Sequence, residues 1–205
     1  MSQTIDPLCK PLEKQHFPEA IACKRLTLKK HTLDLAQTMF AYVDQDRDRL
    51  RQFLPWVDAT KTVQDEVDYI KMTHENWDNH EFYDFGIFCN ETGIYMGNAG
   101  IHAIAWQHAR CEIGYWILGD FEGQGFMSEA VTGLEEICFA LGFHRVEIRC
   151  SSLNTRSASV PRRLGYVLEG VLRQNSLELG RYRDMLIFGK IASDTAGDEI
   201  PVLLG

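Results

Sequence analysis

The segment GYWILGDFEGQGFMSEA, residues 114–130, predicts a strand, a glycine-rich loop and a helix in succession. Aromatic and β-branched side chains are frequent in residues 112–118, which favours a buried strand. The three glycines of residues 119–125 allow positive φ angles and leave backbone N–H groups uncovered. Ser128 is a suitable N-cap for the helix, and Gly142 is placed to end it. A strand–loop–helix unit is therefore the best-defined feature of the sequence.

Such a unit is a candidate anion site, because free N–H groups and the positive end of the helix dipole converge on one point. The loop lacks G-x-x-x-x-G-K-[ST], which disfavours a nucleotide P-loop. It also lacks G-x-G-x-x-G, which disfavours a dinucleotide site. A tight turn that binds nothing is the alternative at this point.

Residues 112–117 and 121–130 together resemble the acetyl-CoA loop of the GNAT N-acetyltransferases. The RimJ/RimL branch, which acetylates N-terminal amines of ribosomal proteins, is the most similar part of that family. The family loop is [QR]-x-x-G-x-[GA]; Gly125 matches its central glycine, whereas Glu122 and Met127 depart from it. An acid near a pyrophosphate is unfavourable unless its side chain turns away. The resemblance assigns to acetyl-CoA the residues Ile117, Leu118, Glu122, Gly123, Gln124, Gly125, Phe126, Met127 and Ser128.

Two further segments carry the same resemblance. Asn154 to Ser157 is similar to the family's N-x-x-S, and residues 164–173 match its L-G-[FY] and E-G-x-x-[RK] tracts. The resemblance implies that Asn154 binds the pantetheine arm of acetyl-CoA and that Ser157 protonates the leaving thiolate. The alternatives are that Asn154 only caps a helix and that Ser157 only caps or faces solvent. Pro161 departs from the pattern, since proline is tolerated near the first turn of a helix and otherwise kinks it.

The acceptor side of the site is less defined by sequence. Trp56 follows Pro55 on a predicted loop and is a candidate flat apolar contact for a substrate; a role at the edge of the core is the alternative. Attack of an amine on a thioester requires a proton acceptor and donors for the oxyanion. Some RimL relatives have a glutamate base where this chain has Ser176, so that base is not carried over. Glu112, on the predicted pocket strand, is the first candidate for the base and for acceptor binding, with a structural carboxylate as the alternative.

Composition excludes several other classes of protein. The net charge of −8 argues against general nucleic-acid binding and is compatible with a cationic acceptor. No apolar run reaches about 18 residues, so no transmembrane helix is expected. The N-terminus lacks the pattern of a signal peptide, and the six cysteines form no C-x-x-C pair, which together indicate a cytoplasmic protein with reduced thiols. Histidine spacing gives no metal signature, so we expect no metal.

The resemblance implies an α/β (α+β) GNAT fold, with a mixed, mostly antiparallel sheet of about seven strands flanked by helices. The domain is expected over residues 21–192, after a lead-in, 1–20, and before a tail, 193–205. In the family, the strand at residues 112–118 splays from its parallel neighbour, here residues 145–150, and the pantetheine arm fits the gap.

The implied function is transfer of an acetyl group from acetyl-CoA to a primary amine, with the N-terminal α-amine of a ribosomal protein as the first choice. A small amine, such as a polyamine or an amino-acid derivative, is the second. A CoA-binding module without turnover is the third, which the departures at Glu122, Met127, Pro161 and Ser176 keep open. A homodimer is a further expectation.

Overall fold

One eight-stranded sheet organises the structure, a computed structural model that describes residues 11–196. Its strands are β1 (Ala20–Ala22), β2 (Leu26–Lys30), β3 (Tyr83–Cys89), β4 (Tyr95–Ala105), β5 (Arg110–Ile117), β6 (Arg145–Ser151), β7 (Val167–Glu178) and β8 (Arg181–Ile191). They lie in the order β1-β2-β3-β4-β5-β6-β8-β7, and among them β5 and β6 alone pair in parallel. A mixed, mostly antiparallel sheet is thus confirmed, while the predicted lead-in and tail lie partly outside the described residues.

The alternation of apolar residues over residues 21–30 predicts a single first strand, and this prediction is wrong, because a turn divides the segment into β1 and β2. The Cys23 N–H donates to the Leu26 carbonyl oxygen at 2.9 Å within this turn. The Glu129 carboxylate accepts hydrogen bonds from the Arg25 backbone N–H at 2.5 Å and from its Nε at 2.8 Å. Since the partner that fixes the turn is distant in the chain, the local alternation does not reveal it. The sheet therefore has eight strands rather than about seven.

Helices cover both faces of the sheet. They are α1 (Ala36–Gln45), α2 (Arg47–Leu50), α3 (Val63–Asp78), α4 (Phe126–Ala140) and α5 (Thr155–Arg163). On one face, Met39 of α1 and Ile70 of α3 pack with Tyr95. On the other, Val131 and Leu134 of α4 are buried in the larger core. None of the helices in the described part of the chain is long and apolar enough to span a bilayer.

The start of α4 differs from the predicted one. Ser128 is not the N-cap: the helix begins at Phe126, and Gly125 precedes it with φ 81°. A left-handed φ suits glycine and strains other residues, so Gly125 takes the position expected for Ser128. The helix ends as predicted, with Gly142 at φ 94° just beyond it.

The parallel pairing of β5 with β6 is short. Residues 110–112 pair with residues 145–147, and no pairing between these strands continues beyond Glu112. The remainder of β5 is paired only with β4, while β6 continues beside β8 as far as Ser151. The expected splay of the two strands is present, and it leaves backbone groups of β5 exposed along a gap.

Candidate active site

Two cavities meet at the open end of β5. The first, of about 390 Å³, is bordered by the loop of residues 119–125 and by the starts of α4 and α5. The second, of about 510 Å³, lies on the opposite face of the sheet beneath α1 and α3. Leu54, Tyr115 and Trp116 line both cavities, so a molecule in one lies next to a molecule in the other.

Most residues predicted to bind the cofactor line the first cavity. These are Ile117, Glu122, Gly123, Gly125, Phe126, Met127, Ser128, Asn154 and Ser157. Leu118 and Gln124 do not line it. The Leu118 N–H donates to the Met96 carbonyl oxygen at 2.9 Å. The Gln124 carbonyl oxygen accepts from Arg25 Nη1 at 3.0 Å, so it faces the β1–β2 turn.

The loop presents backbone donors to the first cavity. The first hydrogen bond of α4 runs from the Glu129 N–H to the Gly125 carbonyl oxygen at 3.1 Å. The N–H groups of residues 126–128 therefore have no acceptor within the helix. Together with the positive end of the helix dipole, they have the geometry expected of an anion site, and the binding of an anion there stays a prediction.

Glu122, the acidic departure from the family loop, is paired with two arginines. Its carboxylate binds Arg49 Nη1 at 2.6 Å and also contacts Arg156. Arg49 in turn donates from Nη2 to the Ile117 carbonyl oxygen at 2.7 Å. Arg49, Arg156 and Arg163 all line the cavity. Arg49 also pairs with Asp46, so three arginines meet two carboxylates here. The wall near Glu122 therefore keeps a net positive charge, which favours an anion.

Ser157 lies in the first turn of α5, beside Tyr115 of β5. Asn154 is the N-cap, and its Oδ1 accepts the Ser157 N–H at 3.0 Å. The Ser157 carbonyl oxygen accepts from the Tyr115 hydroxyl at 3.0 Å. This carbonyl is the one that an N–H at Pro161 would bond, so Tyr115 replaces the donor that proline lacks. The helix thus continues through Pro161, and the Ser157 hydroxyl lies 3.4 Å from that of Tyr115.

The second cavity contains Trp56 in its lining, as expected for an acceptor contact. Trp56 is 38% exposed, and its ring centroid lies 5.8 Å from that of Trp116. Gly100 and Gly114 are opposite each other in the register of β4 and β5 and form part of the same wall. A Cβ at Gly100 would lie 2.6 Å from Asp84 Oδ1, so this glycine leaves room for that carboxylate.

Asp84 is the centre of a buried hydrogen-bond network beside this cavity. Its Oδ2 binds the Tyr69 hydroxyl at 2.6 Å, His31 Nε2 at 2.8 Å and Asn98 Nδ2 at 3.0 Å. Burial raises the pKa of Tyr69 well above its usual range, so its hydroxyl keeps its proton and donates. Within residues 11–196, no group of three or more His, Cys, Asp or Glu side chains is arranged to hold a metal ion.

Glu112, the predicted base, lies outside the linings of both cavities. Its carboxylate binds Arg149 Nε at 3.2 Å and is 3.9 Å from His102 Nε2. Burial raises the pKa of Glu112, while the positive charge of Arg149 opposes that rise. The geometry favours the structural alternative, and the catalytic assignment stays a prediction.

Glu66 and Asp84 are the acidic residues that line the second cavity, and the sequence analysis predicted neither of them as a site residue. Glu66 is 4% exposed. A signal was present in the sequence: Glu66 is spaced with Ile70, Thr73 and Trp77 as one stripe of α3, and these four are its buried residues. Glutamate is rarely buried in proteins unless it is paired, so a carboxylate on the buried face of a helix indicates a candidate functional residue.

Comparisons with known proteins identify the family. Residues 25–167 match the family model described as an acetyltransferase (GNAT) domain. The chain belongs to the GNAT acetyltransferase family. The "Uncharacterized N-acetyltransferase p20" of Bacillus licheniformis is 30% identical over 181 residues, which cover 87% of this chain and 99% of that protein. The ribosomal-protein-serine acetyltransferase of Escherichia coli (strain K12) is 27% identical over 161 residues, covering 75% and 85%.

Solved structures agree with this assignment. RimL, described as a ribosomal L7/L12 alpha-N-protein acetyltransferase, superposes in its apo form with a TM-score of 0.78 at 25% identity, covering 86% of this chain and 96% of RimL. Its complex with coenzyme A superposes with a TM-score of 0.81 at 24% identity, covering 84% and 98%, and supports the fold. The expected GNAT fold and the resemblance to the RimJ/RimL branch are confirmed.

Proposed function

We propose that this acetyltransferase moves the acetyl group of acetyl-CoA to the N-terminal α-amine of a protein, with ribosomal proteins as the acceptor class. The observation that carries the proposal is the junction of two cavities at β5, where Leu54, Tyr115 and Trp116 belong to both. A donor in the first cavity and an acceptor in the second would place thioester and amine together at that junction.

The first cavity suits coenzyme A. Residues 126–128 and the arginines Arg156 and Arg163 offer N–H groups and positive charge to a pyrophosphate. The edge of β5 beyond Glu112, unpaired with β6, offers backbone groups to the amides of the pantetheine arm. Asn154 also lines the first cavity and offers its side chain to the pantetheine arm. RimL has been solved in complex with coenzyme A, which supports this donor.

The reaction requires three events at the junction. The amine nitrogen attacks the thioester carbon and forms the C–N bond, and backbone N–H groups on the open edge of β5 stabilise the oxyanion. The C–S bond then breaks as the carbonyl re-forms, and the nitrogen of the new amide loses a proton to solvent water. Ser157 gives its hydroxyl proton to the leaving thiolate and recovers one from solvent. The acetyl group arrives already activated as a thioester, and the residues of the site supply positioning and proton transfer.

The choice of acceptor is supported by the relatives. The Escherichia coli relative is a ribosomal-protein-serine acetyltransferase, and the RimL structure is that of an alpha-N-protein acetyltransferase. The second cavity, of about 510 Å³, is of a size that ligand sites commonly have. We infer a cytoplasmic location on the same basis, because ribosomal proteins are made there; the homodimer stays a prediction.

An acetyl-labelling experiment tests this function. The purified protein is incubated with labelled acetyl-CoA and a cell extract, and the products are separated by size. We expect label in a few proteins and its loss when their N-terminal amines are blocked beforehand. Label confined to small molecules would replace the acceptor with a metabolite amine. Acetyl-CoA binding by calorimetry without any labelled product would contradict an enzymatic role.

A further inference from the structure

We propose that Glu66 is the residue that binds the ammonium group of the acceptor in the second cavity, so that the acceptor enters as a cation. The inference rests on the proposed function in that it takes the acceptor to be an amine. It adds the recognition group and the charge of the bound form. The bound ammonium group gives one proton to solvent water before its nitrogen attacks the thioester as the neutral amine.

The first step concerns the carboxylate itself. Glu66 is 4% exposed and lines the second cavity. No hydrogen bond or ion pair of its side chain occurs within residues 11–196. A buried carboxylate without a partner is costly, whereas one that meets a cationic ligand is stabilised by it. Of the two acids that line this cavity, Glu66 and Asp84, only Glu66 has no side-chain hydrogen bond or ion pair within residues 11–196.

The neighbouring groups do not satisfy Glu66. Asp84, the other acid in the lining, has an Oδ2 occupied by three donors. His31, whose charge would favour ionised Glu66, uses Nε2 for Asp84, and its buried Nδ1 has no hydrogen-bond partner. Within residues 11–196, the Glu66 carboxylate in the cavity lining and the buried Nδ1 of His31 therefore both lack a hydrogen-bond partner. A polar ligand with donors would satisfy the carboxylate.

The acid–base properties of Glu66 agree with such a role. Burial raises the pKa of Glu66 to about 7, while His31 opposes the rise and Asp65 and Asp84 add to it. The titratable groups near the carboxylate come from four parts of the fold. They are His31 after β2, Asp65 and Tyr69 of α3, Asp84 of β3, and Tyr95 and His102 of β4. An incoming cation favours the ionised form, so binding of an ammonium group draws a proton off Glu66 near neutral pH.

Glu66→Gln removes the charge and keeps the shape. With a peptide that has a free N-terminal amine, we expect KM to rise about 10- to 100-fold, as for loss of a charge-assisted hydrogen bond. Acetyl-CoA affinity is expected to stay within about twofold, because Glu66 does not line the first cavity. Glu66→Asp, which keeps the charge on a shorter side chain, is expected to fall between wild type and Glu66→Gln. Glu75→Gln, an exposed change of equal charge on the same helix, serves as the control.

Binding measurements separate recognition from turnover. With the enzyme saturated by coenzyme A, calorimetry compares the free-amine peptide with the same peptide lacking its α-amino group, and n-butylamine with n-butanol. Wild type is expected to prefer the amine of each pair, and Glu66→Gln to lose that preference. An amine preference that persists in a folded Glu66→Gln variant, with unchanged KM, would overturn the role of Glu66.

The same data distinguish the two proposals. If wild type acetylates peptide N-termini and Glu66→Gln does so with the same KM, the inference fails and the proposed function stands. If Glu66 governs the preference for butylamine while no protein or peptide is acetylated, the proposed acceptor fails and the recognition role stands. Thermal melting of each variant confirms that the comparisons are made on folded protein.

Discussion

At the scale of single residues, Ser157 is held by contacts that leave its hydroxyl available. Its N–H is bonded to Asn154 Oδ1 at 3.0 Å and its carbonyl oxygen to the Tyr115 hydroxyl at 3.0 Å. The hydroxyl itself is 3.4 Å from that of Tyr115, a longer contact than the other two. The backbone is therefore fixed while the proton of Ser157 can be donated.

Ser157→Ala tests the role of that proton. We expect kcat to fall about 100-fold, a common contribution of general acid catalysis. The KM for acetyl-CoA should change little, because the proposed contacts of the cofactor are mainly with the loop and the arginines. Steady-state kinetics with each substrate varied in turn provides the measurement. Turnover equal to wild type would remove Ser157 from the mechanism.

The effects of substituting Tyr115 and Pro161 on the free energy of unfolding should depend on each other. Tyr115→Phe leaves the Ser157 carbonyl without a donor and is expected to lower the free energy of unfolding by about 1 kcal/mol. Pro161→Ala restores an N–H that can bond the same carbonyl. In that background, Tyr115→Phe should cost less, which a double-mutant cycle by urea unfolding measures. Equal costs in both backgrounds would show that Tyr115 does not replace the missing donor.

At the scale of elements, the short pairing of β5 with β6 creates the junction between the cavities. Pairing covers residues 110–112, after which the β5 edge lies open towards the start of α5. On the opposite edge, β5 stays paired with β4 as far as Ile117. Gly100 and Gly114, which are paired in the register of β4 and β5, contribute no side chain to the lining of the second cavity.

Gly100→Ala tests this wall. The new Cβ would meet Asp84 Oδ1 at 2.6 Å and the Tyr83 carbonyl oxygen at 3.0 Å. We expect a loss of about 1–3 kcal/mol in the free energy of unfolding, as for other overpacked cores. Gly170→Ala, in β7, meets nothing within 4 Å and serves as the matched control. Similar melting temperatures for the two variants would contradict the tight packing at Gly100.

How far the sequence predicts these elements depends on what fixes each one. The β5 strand, the glycine loop and the end of α4 at Gly142 follow from local residue types, and the structure has them. The division of β1 from β2 rests on Glu129, and the pairing of Glu122 rests on Arg49 and Arg156, so both depend on contacts distant in sequence. Glu66 was missed because it lies close to Asp65 and Asp68 in the sequence, and such a group of acids is typical of a solvated helix face. The structure shows that Asp65 and Asp68 are exposed, whereas Glu66 is buried.

At the scale of the whole molecule, Glu66 makes stability depend on pH. Its pKa is about 7 in the folded protein against an ordinary value of 4.5, so between these values the folded state holds a proton that the unfolded state has lost. Stability from this group is therefore present below about pH 4.5 and declines as pH rises through about 7. The difference in free energy of unfolding between wild type and Glu66→Gln should show this decline in urea titrations. A difference that does not vary with pH would contradict the buried, unpaired state of Glu66.

The proposed function makes the whole molecule a two-sided site, with the first cavity for the donor and the second for the acceptor, and Tyr115 and Trp116 of β5 lining both. The most direct test of that account is to locate the transferred acetyl group. The purified protein is incubated with acetyl-CoA and a peptide that carries both a free α-amine and a lysine, and fragmentation mass spectrometry places the modification. We expect acetylation on the α-nitrogen. Acetylation on the lysine side chain alone, or none with acetyl-CoA bound, would contradict it.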